Sequence, residues 1–145
     1  MKSKSKLAWS LFAVMTVAVI VLSSILIFNS VKWKSGDELL GFDIDDVQSA
    51  HLYHYVYNYD TSSVDRKEYN LGEEQIEYLV TEFRWSKFEK INEGGYGDKA
   101  GVVFTLKDGS QREFYTIGGA FYIDGKKYKC HSYLDRYILH FGFGE

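Results

Sequence analysis

The sequence predicts an α+β protein in which one transmembrane helix precedes a small domain with an antiparallel sheet and two helices, in the order β-β-α-β-β-β-β-α. Three observations predict this class. Residues 7–31 are apolar and uncharged. The later sequence has short runs of alternating apolar residues around two Asp-Gly turns, and two stretches with apolar residues at helical spacing. Because the strand segments cluster along the chain, we expect an antiparallel sheet with helices on one face.

The apolar segment, residues 7–31, is long enough to cross a bilayer as a helix. At 1.5 Å per residue the run from Leu7 to Phe28 would be about 33 Å long, and the hydrocarbon core of a bilayer is about 30 Å thick. Trp9 and Trp33 lie near its two ends, where aromatic residues commonly meet lipid headgroups. We therefore predict that this segment contacts the lipid bilayer directly.

A basic start before an apolar run is also typical of a secretory signal peptide. Here the apolar run exceeds the roughly 7–15 residues of a signal core, and no clean cleavage site follows it. We therefore expect a retained signal-anchor at the cell membrane. The three lysines of residues 1–6 predict a cytoplasmic N-terminal tail and an extracytoplasmic C-terminal domain. A secreted domain, released after cleavage, is the alternative.

Composition narrows the classes of partner. The 145 residues carry a formal net charge of −3, so nucleic acid is not an expected partner. Cys130 is the only cysteine, which excludes an intramolecular disulfide. The 12 tyrosines and 10 phenylalanines predict a core built largely from aromatic rings.

The first half of the domain is predicted from alternation and helical spacing. We interpret residues 32–48 as a juxtamembrane linker and residues 49–145 as the extracytoplasmic domain. Residues 50–59 alternate as a strand, and residues 66–71 return as a second strand. The segment 72–84 predicts a helix whose apolar stripe consists of Ile76, Leu79, Val80 and Phe83.

The second half predicts a meander and a final helix. Asp-Gly pairs at 108–109 and 124–125 favour hairpin turns, and Gly118-Gly119 favours a third turn. The glycine-rich segment 92–101 matches neither a P-loop nor a dinucleotide fingerprint, so we interpret it as a flexible turn. A helix is predicted from about Tyr133 to His140, with Ser132 and Asp135 as its cap and Phe141 on its apolar face. Gly142 is placed to end it.

No residue pattern predicts catalysis, a metal site or a cofactor. His51 and His54 point to opposite faces of a strand, so they cannot chelate one metal ion there. The acidic turn after residue 42 lacks the glycine and glutamate that an EF-hand requires. Cys130 and His131 diverge as strand neighbours, and we interpret Cys130 as a small buried hydrophobe. We therefore expect a protein that is not an enzyme.

The candidate interaction face is a ladder of tyrosines. Strand alternation places four of them on one face: Tyr53, Tyr55, Tyr57 and Tyr59. An exposed row of rings would stack on the sugar rings of a cell-wall polymer or dock a partner strand. The alternative is a row that packs beneath a helix with its hydroxyls at the edge.

The order of these segments resembles small membrane-anchored or secreted α+β domains of Gram-positive bacteria. The resemblance is carried by DDVQSAHLY, LGEEQIEYL, KDGSQREFYTI and FYIDGKKYKCHSYLDRYI, and it covers about residues 43–141. It is a pattern of apolar residues and turns without a catalytic motif. It implies a cell-envelope setting and assigns no site residues.

Two functions from different classes are compatible with these observations. The first is a single-pass, membrane-anchored extracytoplasmic domain that binds a protein or a wall polymer without catalysis. The second is a sensory or immunity-type ectodomain that acts through another membrane protein. The second requires such a partner, because about six residues inside the cell are too few for a signalling domain.

Overall fold

The computed structural model describes residues 2–58 and 60–140, without the side chains of residues 2–8, 30, 31, 57, 58, 135, 139 and 140. The chain forms two compact units, residues 1–33 and residues 34–145. The architecture is α+β, with an N-terminal apolar helix followed by an antiparallel sheet and shorter helices.

The N-terminal helix α1 (Lys2–Lys32) contains one apolar segment, Trp9–Asn29, of 21 residues. Its length and composition suit a membrane span, and a signal sequence near an N-terminus would have the same properties. Within it, the Ser24 hydroxyl donates a hydrogen bond to the Ile20 carbonyl oxygen at 2.8 Å. This hydroxyl is therefore satisfied by its own helix and needs no partner from outside.

An eight-stranded sheet follows in the sequence. Its strands are β1 (Trp33–Ser35), β2 (Val47–Asn58), β3 (Ser63–Asn70), β4 (Lys87–Lys90), β5 (Lys99–Leu106), β6 (Gln111–Ile117), β7 (Ala120–Ile123) and β8 (Lys126–Cys130). Their order across the sheet is β1-β4-β8-β7-β6-β5-β2-β3. From β4 to β3 each neighbouring pair is antiparallel, as the sequence predicts.

One face of this sheet carries the core. The helices are α2 (Gly36–Leu40), α3 (Glu73–Trp85) and α4 (Leu134–His140), and a 3-10 turn covers Ile44–Asp46. Leu52 of β2, Phe114 of β6 and residues of α3 belong to one buried cluster. The Phe83 ring of α3 lies 4.8 Å from the Phe114 ring and 4.9 Å from the Phe88 ring, measured between centroids. The core is thus built on aromatic rings, as composition predicts.

Helix α3 confirms its prediction closely. Its buried residues are those of the predicted stripe, Ile76, Leu79, Val80 and Phe83. Gly72 is the N-cap, and its N–H donates to Gln75 Oε1 at 2.8 Å, which satisfies a backbone donor that the helix leaves free.

The predicted hairpin turns are also present. Gly109 has φ of +84°, and Asp124 and Gly125 have φ of +48° and +72°. Left-handed backbone of this kind is why Asp-Gly pairs favour tight turns between strands. Gly118 and Gly119 form the third turn, with φ of +54° and +80°.

The segment predicted to be a linker, residues 32–48, is instead part of the fold. Ser35 caps α2 by accepting a hydrogen bond from the Glu38 N–H at 3.2 Å. The Gly36 N–H donates to the Ser86 carbonyl at 2.9 Å, and Leu40 is fully buried in the core. Local spacing did not reveal this because Leu40 finds its partners in distant parts of the sequence. After α1 the observed order is therefore β-α-β-β-α-β-β-β-β-β-α. β1 and α2 were not predicted, and β4 falls within residues 87–91, whose sequence is compatible with a short strand although the predicted order does not count it.

The C-terminal helix α4 begins one residue later than predicted, at Leu134. The Leu134 N–H donates to Ser132 Oγ at 3.3 Å, as the predicted cap requires. The side chain of Asp135, and residues Phe141 and Gly142, lie outside the described part of the chain.

Candidate functional site

The candidate site is the open face of the sheet, defined as the face opposite α3 and α4. On β2, Leu52 belongs to the core cluster, so the next side chain, Tyr53, points to the open face. Tyr53 is nevertheless only 1% exposed. Something on the open face itself must therefore cover this ring.

Gly101 explains how Tyr53 is buried. Gly101 of β5 lies opposite Tyr53, and a β-carbon at Gly101 would lie 2.7 Å from Tyr53 Cζ. The ring therefore lies across the gap that the missing side chain leaves. Its hydroxyl reaches β6, where it donates a hydrogen bond to Glu113 Oε1 at 2.5 Å. One tyrosine thus connects three neighbouring strands, β2, β5 and β6.

A cation lies over both Tyr53 and Tyr55 of β2. The Arg66 guanidinium lies 4.5 Å from the centroid of the Tyr53 ring and 5.8 Å from that of Tyr55. Arg66 is itself paired with Glu68 at 2.8 Å. The two tyrosine rings meet edge to face with centroids 5.7 Å apart. Such cation–π contacts stabilise the fold and shield the ring faces from other ligands.

A second group crosses β5 to β8, and we name it the tyrosine–lysine row: Lys99, Tyr115, Tyr122 and Lys127. The rings of Tyr115 and Tyr122 are stacked, with centroids 4.9 Å apart and planes 5° apart. Lys99 Nζ lies 4.2 Å from the Tyr115 centroid, and Lys127 Nζ lies 5.7 Å from the Tyr122 centroid. Each ring therefore contacts the other ring and lies near one ammonium group of the row.

The glycine-rich loop between β4 and β5 packs against the end of this row. A β-carbon at Gly94 would lie 2.7 Å from both Lys127 Nζ and Tyr122 Oη. A β-carbon at Gly95 would lie 1.8 Å from the Ile117 carbonyl oxygen. The glycines therefore permit a close approach to the open face, in addition to turning the chain.

The open face presents hydrogen-bond donors. Burial is the main cause that raises the pKa of the Tyr53 phenol, and the hydrogen bond to Glu113 and the negative charge of that carboxylate add to it. Burial, with the Glu113 charge, also raises the pKa of Tyr115. Both phenols thus remain protonated at neutral pH. Within the described residues, neither Lys99 nor Lys127 forms an ion pair.

The sequence-predicted ladder falls partly on this surface. Tyr53 and Tyr55 lie on the open face, Tyr53 buried and Tyr55 half-buried, and neither packs beneath α3 or α4. The side chain of Tyr57 and the whole of Tyr59 lie outside the described residues. Their role as an interaction face stays a prediction.

Five residues of the open face were not predicted from the sequence: Lys99, Gly101, Tyr115, Tyr122 and Lys127. Part of this set could have been found from turn geometry. A two-residue turn at 118–119 pairs Tyr115 with Tyr122, and a two-residue turn at 124–125 pairs Tyr122 with Lys127. The approach of Lys99 to Tyr115 carries no such local signal, because it depends on side chains that cross a strand.

The histidines and the cysteine do not assemble a reactive centre in the described structure. His131 Nε2 lies 3.2 Å from Glu89 Oε2, and Cys130 Sγ lies 3.1 Å from Ser132 Oγ. These contacts do not join the half-buried thiol to a base. Among the described residues there is no group of three His, Cys, Asp or Glu side chains that could hold a metal ion.

A cleft of about 280 Å³ lies between α3 and α4. Its lining is mainly apolar and consists of Tyr78, Glu82, Tyr133, Leu134, Arg136 and Tyr137. Burial, together with the nearby Tyr78 and Glu82, raises the pKa of Tyr137 to about 12. The cleft therefore offers an apolar surface for packing, whereas the open face offers hydrogen-bond donors that can orient a ligand.

Comparison with protein-family models, with curated proteins and with solved structures found no significant match. The geometry of the open face suits binding through N–H and O–H donors, and among its described side chains no nucleophile lies beside a base.

Proposed function

We propose that this chain is a non-catalytic binding protein, held in the membrane by α1, whose α+β unit lies outside the cytoplasm and binds its partner through the open face. The observation that carries the proposal is the tyrosine–lysine row. Its two ammonium groups have no ion-pair partner among the described residues, and they lie on the face opposite α3 and α4. Unpaired cations beside protonated phenols suit a partner rich in acceptor atoms.

The membrane part of the proposal is supported by α1 and by the charges at its start. The apolar segment has the length of a bilayer core, and three lysines precede it within residues 1–6. Lysines favour the cytoplasmic side, so the tail would be inside and the α+β unit outside.

Cysteine labelling in intact cells tests this topology. Cys130→Ser gives a chain without cysteine, into which Lys107→Cys places one thiol in the exposed turn between β5 and β6. The matched control is Ser3→Cys in the N-terminal tail. A membrane-impermeant maleimide should label Lys107→Cys in intact cells, and Ser3→Cys only after lysis.

Two results would count against this proposal. Labelling of Ser3→Cys alone would reverse the orientation. A product in the medium that lacks the N-terminal residues, identified by its intact mass, would support the secreted alternative.

A further inference from the structure

We infer that the open face binds an extended anionic polymer of the polyol-phosphate class, with phosphodiester oxygens that accept hydrogen bonds from the tyrosine–lysine row. This inference rests on the function proposed above and specifies the class of ligand. It follows from charge, from hydrogen-bonding capacity and from the arrangement of the rings.

The charge of the row contrasts with that of its surroundings. The unit 34–145 has 13 of the 17 basic residues, because Lys2, Lys4, Lys6 and Lys32 precede it, and all 20 acidic residues, so its formal charge is −7. In this acidic unit Lys99 and Lys127 stand at the two ends of the row without a carboxylate partner among the described residues. An anion is the ligand that complements two unpaired ammonium groups.

The hydrogen-bonding capacity of the row points to a ligand made of acceptors. The ammonium groups can only donate, and the raised pKa of Tyr115 keeps its phenol protonated. Glu113, an acidic residue of the open face, already accepts a hydrogen bond from the hydroxyl of Tyr53. Phosphodiester oxygens are acceptors without donors, and they match this surface better than groups that carry both.

The arrangement of the rings disfavours a ligand that binds by stacking. Tyr115 stacks on Tyr122, Lys99 Nζ lies 4.2 Å from the Tyr115 centroid, and Lys127 Nζ lies 5.7 Å from the Tyr122 centroid. A flat sugar ring or a base would have to displace one of these contacts. The Lys127 ammonium and the Tyr122 hydroxyl border Gly94 at one end of the row. A flexible polyol backbone with charged links needs no free ring face, so it fits better than a stack of rings.

The row also has a direction. It crosses four adjacent strands, β5, β6, β7 and β8, which at about 4.8 Å per strand gives a length of about 14 Å. Successive donors along a line favour a linear ligand with repeated acceptors over a single small anion.

Binding of a soluble poly(glycerol phosphate) chain to the full-length protein in phosphatidylcholine nanodiscs tests the inference by calorimetry. We expect binding that weakens as salt is added, because ionic contacts are screened. The double variant Lys99→Ala/Lys127→Ala should weaken it by about tenfold or more. The matched control, Lys107→Ala/Lys126→Ala, removes the same charge from exposed residues outside the row and should stay within about twofold.

A second variant separates the loss of one hydrogen-bond donor from a loss of stability. Tyr122→Phe keeps the stacked ring and removes one hydroxyl, so the free energy of unfolding in urea, followed by far-ultraviolet circular dichroism, should be nearly unchanged while affinity falls by about threefold or more. Polyglutamate of the same chain length is the comparison ligand for simple polyanion attraction, and neutral dextran is the uncharged comparison.

Three results would overturn the inference: no binding of poly(glycerol phosphate) by the unmodified protein, equal losses in the two double variants, or polyglutamate binding as tightly as the phosphate polymer. If the maleimide experiment places the α+β unit outside while one of these results is obtained, the ligand class is wrong and the topology stands.

Discussion

Gly101→Ala tests how Tyr53 is held on the open face. The added β-carbon would lie 2.7 Å from Tyr53 Cζ and 2.8 Å from the Phe114 carbonyl oxygen. Heavy atoms do not approach so closely without displacement, and Phe114 belongs to the neighbouring strand β6. We therefore expect the Tyr53 ring to move away from β5.

The expected cost follows from what the ring would lose. Tyr53 is 1% exposed, and full burial of a large apolar side chain contributes about 1.5–3 kcal/mol. Its hydroxyl donates to the Glu113 carboxylate, and hydrogen bonds to charged groups contribute about 1.5–3 kcal/mol. The displaced ring would lose only part of its burial and only part of this hydrogen bond's contribution. We therefore expect the free energy of unfolding to fall by about 2–4 kcal/mol. Without the clash, alanine in a strand would be favoured over glycine by about 0.5–1 kcal/mol.

A double-mutant cycle with Tyr53→Ala isolates the contact. Urea unfolding of the full chain in detergent micelles, followed by near-ultraviolet circular dichroism, gives the free energy of unfolding of each variant. In the Tyr53→Ala background, Gly101→Ala should cost at least about 1 kcal/mol less than in the unmodified protein, because no ring remains to be displaced. Equal costs in both backgrounds would refute the placement of the ring over Gly101.

Three further predictions concern stability. Phe83→Ala should cost about 3–5 kcal/mol in urea unfolding, because Phe83 is fully buried among aromatic rings. Gly36→Ala should cost more than about 2 kcal/mol, because its β-carbon would lie 1.5 Å from the Phe83 carbonyl oxygen. Stability should fall as pH rises above about 10, the pKa of an unfolded tyrosine, because the raised pKa of Tyr53 makes the folded state hold its proton more tightly. Alkaline unfolding should be less steep in Tyr53→Phe, with tyrosinate absorbance at about 295 nm as the second readout.

Each of these has a control within the chain. Trp85→Ala, at an 82% exposed neighbour in α3, should stay within about 0.5 kcal/mol, and a loss below about 1 kcal/mol for Phe83→Ala would remove that ring from the core. Gly72→Ala, with its nearest contact at 3.6 Å, should cost less than about 1 kcal/mol, and equal costs at Gly72 and Gly36 would contradict the close packing of Gly36. An unchanged alkaline slope in Tyr53→Phe would contradict the assignment to Tyr53.

The elements that sequence predicts well are those whose signal is local. The apolar stripe of α3 lies within the thirteen residues of the helix, and its N-cap is the residue directly before them. The hairpins of the meander follow from glycine and aspartate at positive φ. In each case the residues that decide the structure are neighbours in sequence, so alternation and turn chemistry are sufficient.

The elements that sequence did not predict depend on distant contacts. Residues 33–46 show no clear helix or strand periodicity of their own. They fold because the Gly36 N–H donates a hydrogen bond to the Ser86 carbonyl and Leu40 is buried in the core. Likewise, alternation places Tyr53 on one face of β2, but it does not say that the ring lies over Gly101. The candidate site consists mainly of such contacts across strands, and that is why the tyrosines of β2 were predicted and Lys99 was not.

The sheet face opposite α3 and α4 is covered, in the described part of the chain, by side chains of the sheet itself. Here tyrosine rings cover the strands, and the cations of Arg66, Lys99 and Lys127 cover the rings. The role of the tyrosine ladder as an interaction face stays a prediction. In the binding proposed above, the hydroxyls and ammonium groups of the row would contact the ligand, and the stacked rings would contribute to stability. Removing the ring of Tyr122 should affect both properties, and removing only its hydroxyl should affect binding alone.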